Sequence, residues 1–454
     1  MLQSKPMRCL SVSILLFFFN TITLASNPSI SSFKYSWLER ALKLQREIDF
    51  NAPLKDATFL GTHNSYNAKS YAIPLVRYID PNQILSIYDQ LEMGIRSLEF
   101  DIHWTNDDKL QKNILLCHAK GDHIGCSLYD RPIQQGLEEL RTWLKENPGE
   151  IVLLYLDRYL DGHEPRLISL IENTLGELIY PASLSRKNHD DPKSCVALPS
   201  TLTKADIVKA KKQVIIVTKA CDGRNPRYEE QDKFTLRWND YVYAGIGDVP
   251  QYPYSFIDAT LNDFTDYPDC GLSKIFHPDI QHTSLWRIFE DRTSLASTRG
   301  NQKKLEADDM RKLMQCGINW PSIDMLSSND ERLNASIWSW APTYPQDGNG
   351  QCAMYKKDEG IKNMPCTQSL SGFACRNETT QEIKAISMIG SWSSGESTCQ
   401  VLGGKSWHFF MPYNGYQLTQ LKESMTIPLL QEIWVNYIAD TNGNWHANKI
   451  TLRA

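Results

Sequence analysis

Four short apolar segments between residues 57 and 157 each end at polar residues that are capable of chemistry. The segments are ATFLGTHNSYN (57–67), GIRSLEFDIHW (94–104), ILLCH (114–118) and EIVLLYLD (150–157). The polar residues at their ends are His63, Asn64, Glu99, Asp101, His118 and Asp157. A continuous apolar run is typical of a strand buried on both faces of a parallel sheet. Because catalytic groups collect at the carboxyl ends of such strands, the pattern predicts one site built from distant parts of the chain.

Helical repeats alternate with these apolar segments. Residues 83–91 repeat apolar side chains at helical spacing, and Gly94 follows as a helix stop. Pro132 stands at a favourable first-turn position of a second helix, which an Asn-Pro-Gly sequence at 147–149 ends. The alternation continues with a helix at 167–178 and strands at 213–217 and 317–324. This order predicts an α/β fold, a TIM-like (β/α)8 barrel around a parallel sheet.

Residues 1–25 have the pattern of a secretory signal peptide. Lys5 and Arg8 supply the positive start, residues 10–19 are apolar, and residues 23–25 suit cleavage. The apolar stretch is short for a bilayer span, so an uncleaved membrane anchor is the less favoured alternative. The pattern predicts a secreted, extracellular protein.

Cysteine use agrees with export. Of the 11 cysteines, loss of Cys9 with the leader leaves an even number, which favours disulfide bonds in an oxidising compartment. Cys117 and Cys126 are close enough for a local loop, and four more cysteines cluster between 352 and 399. Their spacing lacks the repeated CxxC of a zinc site. The mild net charge of −5 argues against nucleic acid as a partner.

The composition of the chain changes near residue 338. Residues 338–454 are rich in Cys, Trp, Gly, Ser and Tyr. This composition predicts a smaller module of strands and loops that disulfides hold together. The expected organisation is therefore a signal peptide at 1–25, a barrel at 26–337 and a Cys-rich, mainly β and loop module at 338–454.

The polar strand ends suit acid–base chemistry around a cation. Two histidines, His63 and His118, can act as general acid and general base near neutral pH. Glu99 and Asp101 are two residues apart, so they share one face of a strand, where their charges repel. A divalent cation resolves the repulsion, and with Asn64 and Asp157 the ligand set is all oxygen, which suits Ca²⁺ or Mg²⁺. Such a site suits cleavage of nucleic-acid, sugar-phosphate or lipid phosphodiesters alike.

The ordered motifs narrow this choice through a resemblance. GTHNSYN, QLEMGIRSLEFDIHW, LCH and GLEELRTWLKENPGEIVLLYLD closely resemble the catalytic X region of phosphatidylinositol-specific phospholipase C. The resemblance covers about residues 55–160 and extends over the barrel to about 330. It implies a TIM-like barrel of the PLC-like superfamily that cleaves the glycerol–phosphate bond of phosphoinositides through a cyclic inositol phosphate.

The resemblance also implies roles for single residues. His63 matches the histidine that stabilises the transition-state phosphate and handles the hydroxyl proton, and His118 matches the histidine associated with the leaving group. Asn64, Glu99, Asp101 and Asp157 fall on the calcium-ligand positions of the metal-dependent branch. Asp157 stands where that branch commonly has Glu, and Glu99 or Asp101 is a further candidate base. We therefore expect His63, His118 and Glu99 to be the catalytic residues and Ca²⁺, with Mg²⁺ as the alternative, to be the cofactor.

The metal-independent branch of that family places an arginine near this strand. Arg96 lies on the second strand of this chain, but two acidic residues would still require compensation. The metal-dependent reading is therefore favoured, with a phospholipid head group or membrane surface as the partner. A sphingomyelinase D-like or glycerophosphodiester phosphodiesterase activity is one alternative. A secreted, non-catalytic lipid- or glycan-binding protein is the other.

The C-terminal module carries a second, partial resemblance. Trp340, Cys352, Cys366, Gly372 and Cys375 follow the order of the last part of a C-type lectin domain. This resemblance implies a glycan as a further partner, and a purely structural appendage is the alternative.

Three polar residues near the strands are expected to lie outside the site, and the role of a fourth, Lys219, stays open. Asp324 is interpreted as a turn residue rather than a support of the site, and Lys219 as a phosphate contact or a plain surface lysine. His103 and His123 are expected to be structural or exposed.

Overall fold

The computed structural model describes most of the chain. The described residues are 28–73, 80–119, 121–185, 196–199, 201–218, 238–244, 257–260, 264–266, 271–272, 286–294, 304–318 and 320–447. The predicted signal peptide at 1–25 and Lys219 lie outside them.

The described residues of the N-terminal part contain twelve strands. They are β1 (Gly61–Thr62), β2 (Ser97–Asn106), β3 (Lys112–Leu116), β4 (Arg131–Pro132), β5 (Val152–Tyr159), β6 (Val214–Thr218), β7 (Val242–Ala244), β8 (Ile257–Thr260), β9 (Phe264–Asp266), β10 (Gly271–Leu272), β11 (Trp286–Phe289) and β12 (Trp320–Ile323). The main sheet has the order β7-β6-β5-β2-β1-β12-β11-β8, and its neighbours run parallel. β3 extends the sheet antiparallel to β2, and β4 pairs with β3.

This sheet confirms the predicted TIM-like α/β fold in the form of a curled half-barrel. Within the described ranges, no pairing joins β7 to β8 to close a ring. β5 and β6 are almost completely buried over the residues that the apolar runs predict. Burial on both faces explains why these strands lack polar alternation.

Nine helices accompany the sheet in the described part of this region. They are α1 (Pro28–Phe33), α2 (Trp37–Ile48), α3 (Ile87–Glu92), α4 (Ile133–Glu146), α5 (Glu164–Leu175), α6 (Lys204–Lys209), α7 (Trp238–Tyr241), α8 (Ala307–Gln315) and α9 (Glu331–Ala335). Pro132 is the N-cap of α4, one position earlier than predicted, and the helix buries its apolar stripe on the sheet. Among the described residues, no helix is long and apolar enough to span a bilayer.

The amino-terminal end of the sheet is closed by an ion-pair network. Arg96 donates to Glu150 at 2.8 Å and to the carbonyls of Leu91 and Ile95 at 2.8 and 2.7 Å. Arg46 from α2 lies 3.3 Å from Glu150. Arg96 thus points away from the carboxyl ends of the strands, so it is not the arginine of a site there.

The C-terminal part forms a second sheet. Its elements are β13 (Cys352–Lys356), β14 (Gly360–Met364), β15 (Leu370–Asn377), β16 (Ile383–Gly390), α10 (Gly395–Gly403), β17 (Trp407–Phe409), α11 (Gly415–Ser424), β18 (Glu432–Ala439) and β19 (Trp445–His446). Disulfides join Cys352 to Cys366 and Cys375 to Cys399, and Cys117 to Cys126 in the first part. The predicted local disulfide loop and the disulfide-held, sheet-rich C-terminal part are confirmed.

The two sheets share one continuous apolar core. Gln45 of α2 donates to the Ser336 carbonyl at 3.1 Å and accepts from the backbone N–H of Trp338 at 2.9 Å. Asn414 donates to the Asp56 carbonyl at 3.2 Å. These buried contacts hold the C-terminal sheet beside the amino end of the barrel.

Candidate active site

The carboxyl ends of β1, β2 and β12 meet at one edge of the main sheet. His63 follows β1 directly, and its backbone N–H donates to Ile323 at the end of β12 at 3.1 Å. Asn64 donates its backbone N–H to the Glu99 carboxylate on β2 at 3.0 Å. Parallel pairing of β1 with both neighbours therefore brings these residues together, as the strand-end pattern predicts.

His63 is held by Asp324, a residue that sequence reasoning placed outside the site. The Nδ1 atom of His63 lies 3.2 Å from Oδ1 of Asp324, which is fully buried. The backbone N–H of Arg292 and the amide of Asn82 donate to the other Asp324 oxygen at 2.8 and 3.1 Å. The turn-residue interpretation of Asp324 is therefore wrong, because the strand order places the end of β12 beside β1. The signal was its position directly after an apolar strand.

The electrostatics of His63 follow from this contact. Burial disfavours the charged ring, but the carboxylates of Asp324 and Glu99 outweigh it and raise the pKa of His63 to about 9. The Phe289 ring lies 5.0 Å from the imidazole and covers one side of it. A histidine whose Nδ1 is held by a carboxylate has a fixed ring orientation and a stabilised imidazolium form.

Arg287 is the main residue that the sequence analysis missed. It lies on β11, is 2% exposed and forms an ion pair with the Glu99 carboxylate. Its guanidinium also lies 4.7 Å from the Phe289 ring and 4.9 Å from the Tyr155 ring. The available signal was an arginine inside an apolar strand, WRIF. Since Arg287 compensates Glu99, the acid pair on β2 is already half neutralised by the protein.

Asp101 and Asp157 form the negative side of the site. They face each other in register on β2 and β5. Tyr66 donates its hydroxyl to Asp101 at 3.1 Å. Burial, together with the charges of Glu99 and Asp157, raises the pKa of Asp101 well above its usual range. This cluster therefore carries a surplus of negative charge.

The Asn64 amide tests whether the cluster suits a cation. Its nitrogen donates to the Asp101 oxygens at 2.8 and 3.2 Å, and its oxygen lies 3.3 Å from Nε2 of His63. This amide is therefore satisfied without an ion. The facing carboxylates of Asp101 and Asp157 are the oxygen ligands that suit Ca²⁺ or Mg²⁺, whereas Glu99 is engaged by Arg287.

The predicted carboxylates are not drawn into one tight cluster. In the described part of the chain, the histidine, cysteine and acid groups with ligand atoms within 4.8 Å of one another are His63, Asp291 and Asp324, and His103, Cys117 and Cys126. Neither is the predicted set of Glu99, Asp101 and Asp157. The two cysteines of the second group are bonded to each other, so they are not thiolate ligands.

His118 lies at the mouth of the same site. It is exposed, it directly follows the half-cystine Cys117 at the end of β3, and its ring is within electrostatic reach of the other groups. Loss of hydration and the positive charge of His63 lower its pKa, although Asp291 and Glu99 act in the opposite direction. The two predicted histidines therefore lie within electrostatic reach of each other and differ in the direction of their pKa shifts.

Comparison with known proteins decides the family. A sequence model described as the Rv2075c PI-PLC-like domain matches residues 21–330, which include every site residue named above. The chain belongs to this PI-PLC-like family. It is 27% identical over 344 residues to the uncharacterized protein Rv2075c of Mycobacterium tuberculosis, covering 71% of this chain and 65% of that protein. The chain thus spans about 65% of the length of that relative.

A further relative and two solved structures are similar to parts of this chain. The PI-PLC X domain-containing protein At5g67130 of Arabidopsis thaliana is 29% identical over 202 residues, covering 43% of this chain and 42% of that protein. A solved calcium-dependent phosphoinositol-specific phospholipase C from Pseudomonas has a TM-score of 0.35 and 14% identity, covering 63% of this chain and 93% of that chain. PLC21 of L. pealei has a TM-score of 0.40 and 14% identity, with coverage of 72% and 42%.

Proposed function

We propose that this PI-PLC-like protein is a secreted phosphoric diester hydrolase that cleaves a lipid phosphodiester through a cyclic phosphate. The observation that carries the proposal is the pairing of His63 with buried Asp324, beside the Arg287–Glu99 pair and within electrostatic reach of His118. Acid, base and charge stabiliser are the parts that phosphodiester cleavage requires. The family match over the same residues supports this reaction class.

The proposed roles follow from the contacts. His118, whose lowered pKa leaves the ring neutral, accepts the proton of a substrate hydroxyl that attacks phosphorus. A new phosphorus–oxygen bond closes the cyclic phosphodiester as the bond to the leaving oxygen breaks. His63, held as the imidazolium by Asp324, gives its proton to that oxygen, and diacylglycerol leaves. Arg287, beside Glu99, supplies positive charge to the phosphoryl oxygens.

A cation completes this proposal. Asn64, Asp101 and Asp157 would hold Ca²⁺, or Mg²⁺ in its place, with Glu99 as the further predicted ligand. When bound, the ion would stabilise negative charge on the phosphoryl oxygens. The facing carboxylates of Asp101 and Asp157 and the raised pKa of Asp101 support an ion at this position.

The remaining features of the proposal concern location and organisation. We propose a leader at 1–25, a catalytic barrel at 26–337 and a C-terminal unit at 338–454. Disulfides within both described parts agree with an extracellular protein. The phospholipid partner would be met at a membrane surface. Glycan binding by the C-terminal unit stays a prediction.

A substrate panel tests the reaction class. Purified mature protein is incubated with labelled phosphatidylinositol, sphingomyelin and glycerophosphoinositol, each with and without a chelator. Release of inositol phosphate that a chelator abolishes is the expected result. Choline release would instead indicate the sphingomyelinase D-like alternative. Lipid binding without turnover of any substrate would overturn the enzymatic proposal and favour a binding protein.

A further inference from the structure

We propose that His123 and Asp161 are positioning residues that fix the loop carrying His118, acting through the buried ring of His103. The loop is defined as residues 117–126, which the disulfide between Cys117 and Cys126 closes. This inference rests on the proposed catalytic function of His118. It assigns a role to two histidines that the sequence analysis left outside the site.

His103 is the fixed surface on which the loop rests. It lies on β2, the strand of Glu99 and Asp101, and is completely buried. Its ring stacks on Tyr159 of β5 with centroids 4.6 Å apart. One of its imidazole nitrogens lies within 4.8 Å of the sulfur atoms of both Cys117 and Cys126. The disulfide therefore packs on a ring that belongs to the same strand as the acidic site residues.

His123 ties the far side of the loop to this surface. Its Nδ1 atom lies 3.0 Å from Nδ1 of His103, and its Nε2 atom lies 2.9 Å from the Asp161 carboxylate. Asp161 follows β5 in the chain, so the tie joins the loop to two strands of the main sheet. The backbone of His123 has a φ of 61°, a conformation that non-glycine residues adopt at a cost. The contacts on both ring nitrogens hold it there.

The hydrogen positions in this series of contacts follow from which nitrogen of each histidine ring can donate. The carboxylate of Asp161 requires a hydrogen on Nε2 of His123, so a neutral His123 has none on Nδ1. His103 must then donate from Nδ1. Its Nε2 atom is left as a bare acceptor, and among the described residues it has no hydrogen-bond partner. The chain of contacts is therefore directional, from His103 through His123 to Asp161.

Backbone packing within the loop connects the anchored side of the loop to His118. Gly125 has a φ of 126°, and a Cβ atom there would lie 2.8 Å from the carbonyl oxygen of His118. The backbone at Gly125 thus lies against the His118 backbone. Gly121 lies against the Tyr159 ring, and the Tyr159 hydroxyl donates to Asp157 at 3.3 Å. Movement of the loop would consequently displace His118 relative to the acidic cluster.

The pair between His123 and Asp161 suits positioning better than stability. The side chains of His123 and Asp161 are 20% and 56% exposed. Contacts between polar side chains this exposed contribute little to the free energy of unfolding. A displacement of about 1 Å in a catalytic group can lower a rate by up to about 10²-fold. Loss of this contact should therefore change the rate more than the stability.

The test is a double-mutant cycle with His118. We expect His123→Ala to lower kcat about tenfold, with KM changed less than about twofold, because the catalytic group moves while substrate binding is kept. In a His118→Ala background the same change should have no further effect. Asp161→Asn should lower kcat in the same direction, and His123→Gln, which keeps a donor, should restore part of it. Asp122→Asn, in the same exposed loop, is the matched control and should leave kcat unchanged.

A second measurement separates this proposal from the catalytic one. In protein with ¹³C- and ¹⁵N-labelled histidine, we expect His103 to carry its hydrogen on Nδ1, and the His118 ring signals to shift or broaden in His123→Ala. If the wild-type protein cleaves no phosphodiester but these signals behave as expected, the function fails and the positioning role stands. If the protein is active, the positioning role fails when His123→Ala leaves kcat and the His118 signals unchanged. It also fails when the loss persists in the His118→Ala background.

Discussion

Each end of the main sheet carries a buried arginine–glutamate pair, and the two pairs have different surroundings. At the amino end, Arg96 and Arg46 share Glu150, and Arg96 also satisfies two backbone carbonyls. At the carboxyl end, Arg287 and His63 face Glu99, with Asp101 and Asp157 beside it. Two arginines share one glutamate at the amino end, whereas the carboxyl end is short of positive charge.

The pKa shifts express the same difference. Burial opposes the charge of Glu150, but Arg96 and Arg46 outweigh it and hold its pKa well below its usual range. Burial and the neighbouring carboxylates raise the pKa of Asp101 instead. A folded protein tolerates such a surplus where an ion, a substrate or a proton completes the site. The comparison teaches that the incomplete pair, and not the burial of an arginine as such, marks the functional end.

The largest expected effect is loss of the histidines at the incomplete end. His63→Ala and His118→Ala should each lower kcat/KM by about 10²–10⁴-fold, because each removes a proton-transfer group. Initial rates on phosphatidylinositol vesicles measure this. His446→Ala, an exposed histidine of the C-terminal sheet, is the control and should retain full activity. Equal activity of all three variants would contradict the assignment of the site.

The sequence predicts one part of this arrangement and misses the other for a physical reason. The parallel fold and the meeting of His63, Asn64, Glu99 and Asp101 follow from apolar strands that end at polar residues. The partners Asp324 and Arg287 do not follow, because they lie at the end of β12 and on β11, two late strands that the strand order of the sheet places on one side of β1. Arg96 shows the converse error, since its side chain points to the opposite end of the strand that carries Glu99.

The next effect concerns the cation at the incomplete end. Chelation or Asp101→Asn should lower kcat roughly 10²-fold, since a metal ion supplies several kcal/mol of charge stabilisation. Terbium, a luminescent substitute for Ca²⁺, should bind the wild-type protein and be sensitised by Tyr66, whose hydroxyl contacts Asp101. Asp101→Asn should lose this signal, and the exposed control Asp358→Asn should keep it. Full activity in chelator with no terbium signal would show that Arg287 serves without a metal.

Exchange of each arginine for lysine compares the two ends directly. Arg287→Lys should lower kcat about tenfold, because a point charge replaces a fixed, planar guanidinium beside the phosphate. Arg96→Lys should leave the rate per folded molecule unchanged and lower the free energy of unfolding by about 1–3 kcal/mol, since buried carbonyls lose their donors. Kinetics and urea unfolding measure the two effects. The account would be refuted if Arg96→Lys lowered kcat and left stability unchanged while Arg287→Lys lowered stability and left kcat unchanged. The amino end would then be the functional end of the sheet and the carboxyl end the structural one.

The smallest effect is an acid dependence of stability at the amino end of the main sheet. Because the folded-state pKa of Glu150 is depressed, its contribution is present above its unfolded pKa of about 4.5 and is lost as pH falls towards the folded value. Glu150→Gln should therefore flatten the fall in melting temperature below about pH 4.5. Glu138→Gln, an exposed glutamate of α4, should leave that fall unchanged. If the melting temperatures of Glu150→Gln and wild type fall equally in acid, the pair of Arg96 and Glu150 is not specifically stabilising.

Phosphorus NMR of phosphatidylinositol vesicles tests the central claim, that the incomplete end cleaves a lipid phosphodiester, most directly. With wild-type protein, the lipid phosphodiester signal should decline as a five-membered cyclic phosphodiester signal rises first, and with His63→Ala both changes should be slower by about 10²–10⁴-fold. An unchanged lipid signal with wild-type protein would contradict the account. So would a product in which the phosphate stays on the lipid.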